Sequence, residues 1–519
     1  MLEPRGANAS PTWCTRTGQP PRRSPMTPES PTPTGVDSAP RGSGIEKHGV
    51  DTIPDSDRTG RPRDIVGILL GSNMCLGVVI FGWLPASFGL EFWPSVTSMI
   101  AGTLLGTLLV APLSLVSFRT GTNLSTSSGG TFGVRGRLIG SVIGLLLSLG
   151  YAALTVWTGG AAVVGPLHRL FGLPDGGVGY TVTYGVLSVL SVLIAIYGYR
   201  LLTTMSKWVA AGTLVLMAAG VLAYSGQFST GPVVEGGYLL GDFWTTWALS
   251  TVAAGLSGPM AFITLLGDYS RYVSPKRYSS GKIFAATVAG MVMGLLIPQL
   301  FGTFTAFASR AADDYVGPLV AAAPVWFLLP LLLNGVFGTI GNAGILVYSM
   351  GLDLDAIVPP LSRVKATVLT SALSTVLVYL GYFVWDAQDA VTAFVLLLTA
   401  IGTPWAVITL IGFVRCRGHY DPDALQVYNR RSRGGIYWYT AGWNLRAAVA
   451  WMLGSAVGLL SVDTALFKGP LIEWTYGIDL SFLLAAATTA VAYLLLSLGS
   501  PQPMPTRTGP ETQAQAVRA

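Results

Sequence analysis

A chain of 519 residues in which 51% are hydrophobic and only 11% charged, with a mean hydropathy of +0.56, is too apolar for a soluble multidomain enzyme. It reads as an all-α integral membrane protein. Its formal net charge of +6 belongs with membrane topology and anionic headgroups, and nucleic acid is not an expected partner.

Residues 1–62 are rich in Pro, Ser, Thr, Gly and Arg and contain no apolar stretch or secretory core, so a disordered tail is expected there. Apolar runs of roughly 20 residues, the length that crosses a hydrocarbon core of about 30 Å, fill the region 63–499. Twelve are expected, at about 65–85, 94–117, 138–165, 180–198, 204–225, 243–266, 283–308, 323–349, 364–385, 389–414, 442–462 and 480–498. Residues 500–519 form a second short tail. With the N-terminus inside, the inner loops hold Arg119, Arg135, Arg137, Lys207, Arg271, Lys276, Arg277, Lys282, Arg363, Arg415, Arg430 and Arg446 among others, and the opposite loops only Arg169, Arg310 and Lys468. That asymmetry puts both termini in the cytoplasm of a multi-pass protein of the cell membrane.

The first span, IVGILLGSNMCLGVVIFGWLP, has a polar centre at Gly71, Ser72, Asn73 and Gly77. In the third, Tyr151 and Thr155 lie four apart on one helical face, a ring beside a hydroxyl; Tyr151 either stacks on a ligand or packs within the bundle. The sixth, GLSGPMAFITLLGDYSRYVSP, carries Gly255, Gly258 and Pro259 near its middle and ends in Asp268 and Arg271, which are spaced to pair on a helix. Helix-breaking residues at membrane depth are tolerated where protein covers the freed backbone or where it lines a cavity. Spans one and six open two five-helix halves, about 63–225 and 243–414, followed by two extra helices at about 442–498. Interruptions at matching places in two halves point to an inverted-repeat transporter with its site near the midplane. Asn342, in the eighth span, is an amide at membrane depth that bonds either a ligand or a neighbouring helix.

Several chemistries are excluded. Cys14, Cys75 and Cys416 are dispersed, His48, His168 and His419 fall in the tail or loops, and no HExxH, GxSxG or Walker motif is present. The chain is therefore not expected to be an enzyme or to hydrolyse ATP, and no cofactor is expected. Glu91, Asp242, Asp268, Asp353, Asp355 and Asp386 all fall near span boundaries, so no buried carboxylate is expected. Such a site suits a neutral, planar, hydrogen-bonding solute.

The runs FRTGTNLSTSSGGTFGVRGRLIGS (118–141), LGYAALTVWTGG (149–160), GDYSRY (267–272) and GNAGILVYSMGLDL (341–354), with YNRRSRGGIYWYTAGWN (428–444), resemble those of the nucleobase:cation symporter family, purine/cytosine permease type. The resemblance extends over about 63–498. It implies a LeuT-type 5+5 inverted repeat with two additional helices, importing a nucleobase-type heterocycle with Na⁺ or H⁺. The substrate would lie between spans one, three, six and eight. Tyr151 and Thr155 stand where the family carries Trp and often Gln. Pro259 and Phe262 occupy ring-contacting positions, Phe262 being a stacking partner or a core residue, and Gly258 frees backbone for a base edge. Asn73, Gly77 and Asn342 complete the implied substrate site. An implied Na⁺ site draws on the carbonyls of Ser72 and Cys75 and on Gly338, Gly341 and Asn342, but the usual hydroxyls are missing and only Thr339 is adjacent. The choice between Na⁺ and H⁺ stays open. So does the alternative of a same-fold carrier for allantoin, hydantoin, a vitamin or an amino acid.

Overall fold

In a computed structural model the chain is described over residues 49–358, 360–384, 387–463, 467–475 and 479–498. Most of the two expected tails, and Asp386, lie outside the described residues. Residues 49–61, expected to be disordered, are instead packed on the helices: Val50, Ile53 and Arg58 are buried, and the Ile53 N–H donates to Gly121 O at 3.0 Å. The architecture is helical, and among the described residues the β-pairing is confined to isolated bridges.

The first span is split into α1 (Pro62–Asn73) and α2 (Leu76–Ser87), bent by 63° to each other. The Arg61 N–H bonds the Asp64 carboxylate at 2.9 Å, which caps the start of α1, and Pro62 stands at its first position, where a missing N–H costs nothing. The cause of the break lies in local side chains. The Ser72 hydroxyl and the Asn73 amide both turn back to the Leu69 carbonyl, at 3.3 and 2.7 Å. Such bonds compete with the helical ladder. Cys75 is then extended and opens the second segment.

Next come α3 (Phe92–Val110), α4 (Leu138–Phe171), α5 (Gly177–Tyr197) and α6 (Tyr199–Tyr224). The sixth span is broken more thoroughly than the first. It runs through α7 (Phe243–Ser250), a π-helical turn Thr251–Leu256, the single turn α8 (Ser257–Met260), non-helical turns, and α9 (Leu266–Ser270). Pro259 has no N–H for the carbonyls one turn earlier. Those carbonyls are satisfied from neighbouring helices: Thr103 donates to Gly255 O at 3.2 Å and Gln299 Nε2 to Ala254 O at 2.9 Å.

The chain continues through α10 (Ser280–Ser309), α11 (Val325–Ile357), α12 (Arg363–Phe383), α13 (Ala387–Arg415), α14 (Leu445–Leu460) and α15 (Ser481–Leu496). Among the described residues eight helices are long and apolar enough to cross a membrane, nine if α1 and α2 form one span. The interrupted stretch 243–270 and the shorter α14 and α15 occupy the other expected positions. The uninterrupted α4 and α11 run side by side, and Gly159 sits where a Cβ would strike the Thr339 side chain. Thr339 therefore faces α4, away from the break in the first span.

The expected absence of buried carboxylates is also corrected. Asp268 and Asp353 are buried, 3% and 4% exposed. At 33 residues, α11 extends about 50 Å, well beyond a hydrocarbon core of about 30 Å. Its last turns are covered by protein: Ser125 bonds Asp353, the Arg137 side chain reaches Ala356 O, and Tyr428 reaches Ile357 O. Glu91 and Asp242 are exposed, and Asp355 is half-buried.

Candidate functional site

The two breaks and the two continuous helices converge on one small cavity of about 30 Å³, room for a water or two, so the helices around it must part to admit a larger solute. Asn73, Gly77, Val78 and Phe81 line it from the first span, Tyr151 and Thr155 from α4, and Gly258, Ala261 and Phe262 from the broken sixth span. Leu295 and Gln299 of α10 and Asn342 and Leu346 of α11 close it.

A polar chain crosses this cavity. The Thr155 hydroxyl lies 2.8 Å from both Tyr151 O and Asn342 Oδ1, so its one proton is shared between them. The Asn342 amide nitrogen in turn donates to the Ser72 carbonyl beside the helix break. Tyr151 reaches across to the broken sixth span, its hydroxyl donating to Ser257 O at 3.2 Å. Gly77 allows the approach of α2 to α4: a Cβ there would lie 3.1 Å from Thr155 Oγ1. The Tyr151 and Phe262 rings thus line the same space as three side-chain amides, those of Asn73, Gln299 and Asn342. Rings offer stacking surface, and amides donate and accept in one plane.

Gln299 was not singled out from the sequence. Its Oε1 lies 3.1 Å from the Thr103 hydroxyl, whose one proton it shares with Gly255 O, while its Nε2 donates to Ala254 O, which fixes the amide at the cavity wall. The signal for it was an amide directly after Pro298 in an otherwise apolar span.

Pro259 is not among the cavity's lining residues. Its ring packs against α3, where a Cβ on Gly106 would lie 2.9 Å from Pro259 Cβ and Cγ. Pro259 shapes the break and turns away from the space it creates.

Of the residues implied for a Na⁺ site, Ser72, Cys75, Gly338 and Asn342 lie at the break in the first span, while Gly341 does not. The Cys75 carbonyl accepts the Val78 and Val79 N–H groups, both at 3.1 Å, and the Ser72 carbonyl accepts the Asn342 amide. Gly341 faces α6, the nearest atoms to its Cβ position being those of Val209. Gly338 does lie against the break, where its Cβ position is 2.7 Å from Met74 O. That carbonyl faces the Asn334 amide nitrogen at 3.5 Å, which also donates to Thr213 Oγ1 at 3.0 Å. Amide donors thus bond these carbonyls, which are the oxygen ligands that a hard cation would take at the break.

A family model described as a permease for cytosine/purines, uracil, thiamine and allantoin matches residues 52–485. The chain is 24% identical over 462 residues, 87% of its length and 96% of the relative's, to the Bacillus subtilis protein YxlA, provisionally named a purine-cytosine permease. It is 25% identical over 354 residues, 63% of each chain, to the purine-cytosine permease FCY2 of Saccharomyces cerevisiae. With a hydantoin permease of Microbacterium maritypicum it shares 22% over 412 residues, 76% of this chain and 81% of that one. Among solved structures, Mhp1, a nucleobase-cation-symport-1 family transporter, in a closed conformation with bromovinylhydantoin bound, superposes with a TM-score of 0.70 at 17% identity, covering 91% of this chain and 100% of that one. The inward-facing form of Mhp1 gives 0.65 at 16% identity, covering 91% and 98%. These likenesses establish the LeuT-type fold.

Proposed function

The chain belongs to the family of permeases for cytosine/purines, uracil, thiamine and allantoin, and from that premise we propose that it is a secondary carrier importing a neutral, planar nucleobase-type heterocycle. Cytosine, a purine or a closely related ring fits the reading, moved by cation symport with alternating access. The observation that carries it is the meeting of the Tyr151 and Phe262 rings with the Asn73, Gln299 and Asn342 amides in one cavity between two helix breaks. Aromatic faces hold a flat ring, and in-plane donors and acceptors read its edge. No described carboxylate lines that cavity, which favours a neutral solute over a cationic one.

The transport cycle follows from which parts are continuous. The cavity lies between broken segments, whose backbone is held by neighbouring side chains, and the unbroken α4 and α11. Movement of the former against the latter opens the cavity to one side at a time. We assign the end bearing Arg58, Arg119, Arg137 and Arg271 to the cytoplasm of a plasma-membrane protein, and the stretches 63–225 and 243–414 to the two inverted repeats, on the charge asymmetry and the matching breaks.

Full-length protein in proteoliposomes, offered labelled cytosine, adenine, hypoxanthine, uracil, hydantoin and allantoin one at a time in a counterflow assay, tests the proposal. Exchange of at least one ring that is competed by its unlabelled form is the expected result. Exchange of none of the rings would overturn it.

A further inference from the structure

Beyond the cavity, towards the arginine-rich end, lies a buried acidic joint that substrate binding does not use. Asp353 is seven residues on from Leu346 along α11, about 10 Å. Its Oδ1 accepts the Ser125 hydroxyl at 2.8 Å. Its Oδ2 lies against α4 at Gly144, where a Cβ would strike it and would also sit 2.9 Å from Thr264 Oγ1. Glycine at 144 is thus what leaves room for the carboxyl group. Thr264, on the unwound part of the sixth span, is 3% exposed, and its hydroxyl has no hydrogen-bond partner. A buried, unpartnered hydroxyl beside a buried carboxyl group is a vacant position in a polar network.

Several elements face Asp353. The sixth span brings Asp268 and Tyr269, both within electrostatic reach of it. The segment Leu124–Ser127 brings Ser125, and α4 brings Gly144 without a charge. On α11 itself, Ser349 approaches Tyr269 Oη at 3.4 Å, and the Tyr348 hydroxyl accepts from Arg271 at 3.1 Å. Arg271 also donates to Gly49 O, and Arg137 is turned to Thr126, Ala356 O and Asn429. Among the described residues no guanidinium or ammonium group bonds Asp353. A carboxyl group inside a membrane protein, bonded by a single hydroxyl and near a second carboxyl group, is costly to keep ionised, and its natural use is to carry a proton.

We propose that Asp353 is the proton-carrying site of this transporter, loaded while the joint between α11 and the sixth span is closed and discharged when it parts. The assignment rests on the carrier reading above and names its coupling ion. A hydronium ion arriving from the cavity side gives its proton to the Asp353 carboxylate, leaving water and the neutral acid. When Thr264 and Asp268 move away from α11, water reaches the acid, its O–H bond ionises and the proton leaves to the cytoplasm, one for each substrate released. A proton needs no coordination shell, which suits a place where the α4 backbone at Gly144 occupies the space beside the carboxyl group.

The test compares wild type with Asp353→Asn and Ser125→Ala, full length, in proteoliposomes. Counterflow of the labelled bases at equal pH on both sides needs no coupling, whereas accumulation under an inward proton gradient does. Asp353→Asn is expected to keep counterflow at the wild-type rate and lose gradient-driven accumulation. Infrared spectra across a pH titration supply a readout that needs no substrate: the carbonyl band of a protonated carboxylic acid, present in wild type at neutral pH, disappears in Asp353→Asn. In Ser125→Ala, which keeps the acid and removes a donor to its ionised form, the pH at which the band is lost moves upward. An unchanged band in Asp353→Asn, wild-type accumulation by that variant under the proton gradient, or wild-type accumulation that follows a Na⁺ gradient at fixed pH would each overturn the assignment. Absence of wild-type counterflow for every ring would sink the carrier reading instead, and the infrared result would still decide whether Asp353 holds a proton.

Discussion

The Thr155 hydroxyl donates to the Asn342 side-chain oxygen at 2.8 Å, and the same Asn342 amide donates through its nitrogen to the Ser72 carbonyl. One side chain on α11 therefore ties α4 to the break in the first span, and it does so at the cavity wall. Any ligand that bonds Asn342 competes with or extends this chain, so binding is felt at the break itself.

That geometry makes Asn342→Asp more damaging than its shape suggests. A carboxylate oxygen in place of the amide nitrogen faces the Ser72 carbonyl, two acceptors with no proton between them, at a cost of about 1–3 kcal/mol. The variant is expected to reach the membrane in normal amount and to take up none of the labelled rings at a useful rate. Wild-type uptake of every ring would remove Asn342 from the site.

Tyr151 separates two contributions. Tyr151→Ala removes the ring and is expected to weaken substrate binding by about 1–3 kcal/mol, the range seen for bases stacked on aromatic side chains. Tyr151→Phe keeps the ring and loses only the bond to Ser257 O, so affinity changes little while thermal stability falls by about 0.5–1.5 kcal/mol. Binding by Tyr151→Ala as tight as wild type, measured by ligand-induced thermal shift, would show that the ring packs and does not stack.

How far these residues could be read from the chain varies with what fixes them. The two breaks are local events: Ser72 and Asn73 turn back on their own helix, and Pro259 removes its own N–H, so the sequence alone locates both. Which way a residue points after a break depends on its neighbours, and Pro259 turned out to face Gly106 because α3 offers it a glycine-lined hollow. Asp353 was misplaced for another reason. Its position near a helix end says water only if that end is bare, and segments distant in sequence, at Ser125 and Thr264, cover it. Gln299 was visible as an amide beside a proline but gained meaning only from the carbonyls that Pro259 left unpaired.

Close packing of the first span on α10 predicts a steep response to a single methyl group. A Cβ on Gly302 would collide with the backbone carbonyl of Val79, which cannot withdraw without moving α2. Gly302→Ala is expected to lower the thermal midpoint by an amount equivalent to about 1–3 kcal/mol. Gly212 in α6 has nothing within 4 Å of its Cβ position, so Gly212→Ala should be neutral or stabilising by up to about 1 kcal/mol. Equal midpoints for the two variants would mean that α2 and α10 do not pack as described.

Arg58 bears on how the arginine-rich end is held shut. Only 5% exposed, it donates from Nε to Arg271 O at 2.8 Å and from Nη2 to Val273 O at 2.7 Å and to Phe118 O. One guanidinium thus joins the segment before α1 to the chain after α3 and to the chain after α9. Lysine carries the charge but not the planar fork that reaches three carbonyls at once. Arg58→Lys is therefore expected to be destabilised nearly as much as Arg58→Ala, by about 3 kcal/mol, because each leaves buried carbonyls without donors. Burial pushes the Arg58 pKa down to about 10, with Asp55 opposing the shift. Because the folded value lies below the unfolded one, the unfolded chain binds more protons only from about pH 10 upward, and the titration of this group leaves stability unchanged around neutrality. A thermal midpoint that is flat between about pH 6 and pH 8 in wild type for this contribution, and lowered by the same amount across that range in both variants, is the expected result. If Arg58→Lys instead matched wild type, the tie would be one of charge alone, and the three carbonyls would have to find their donors in water.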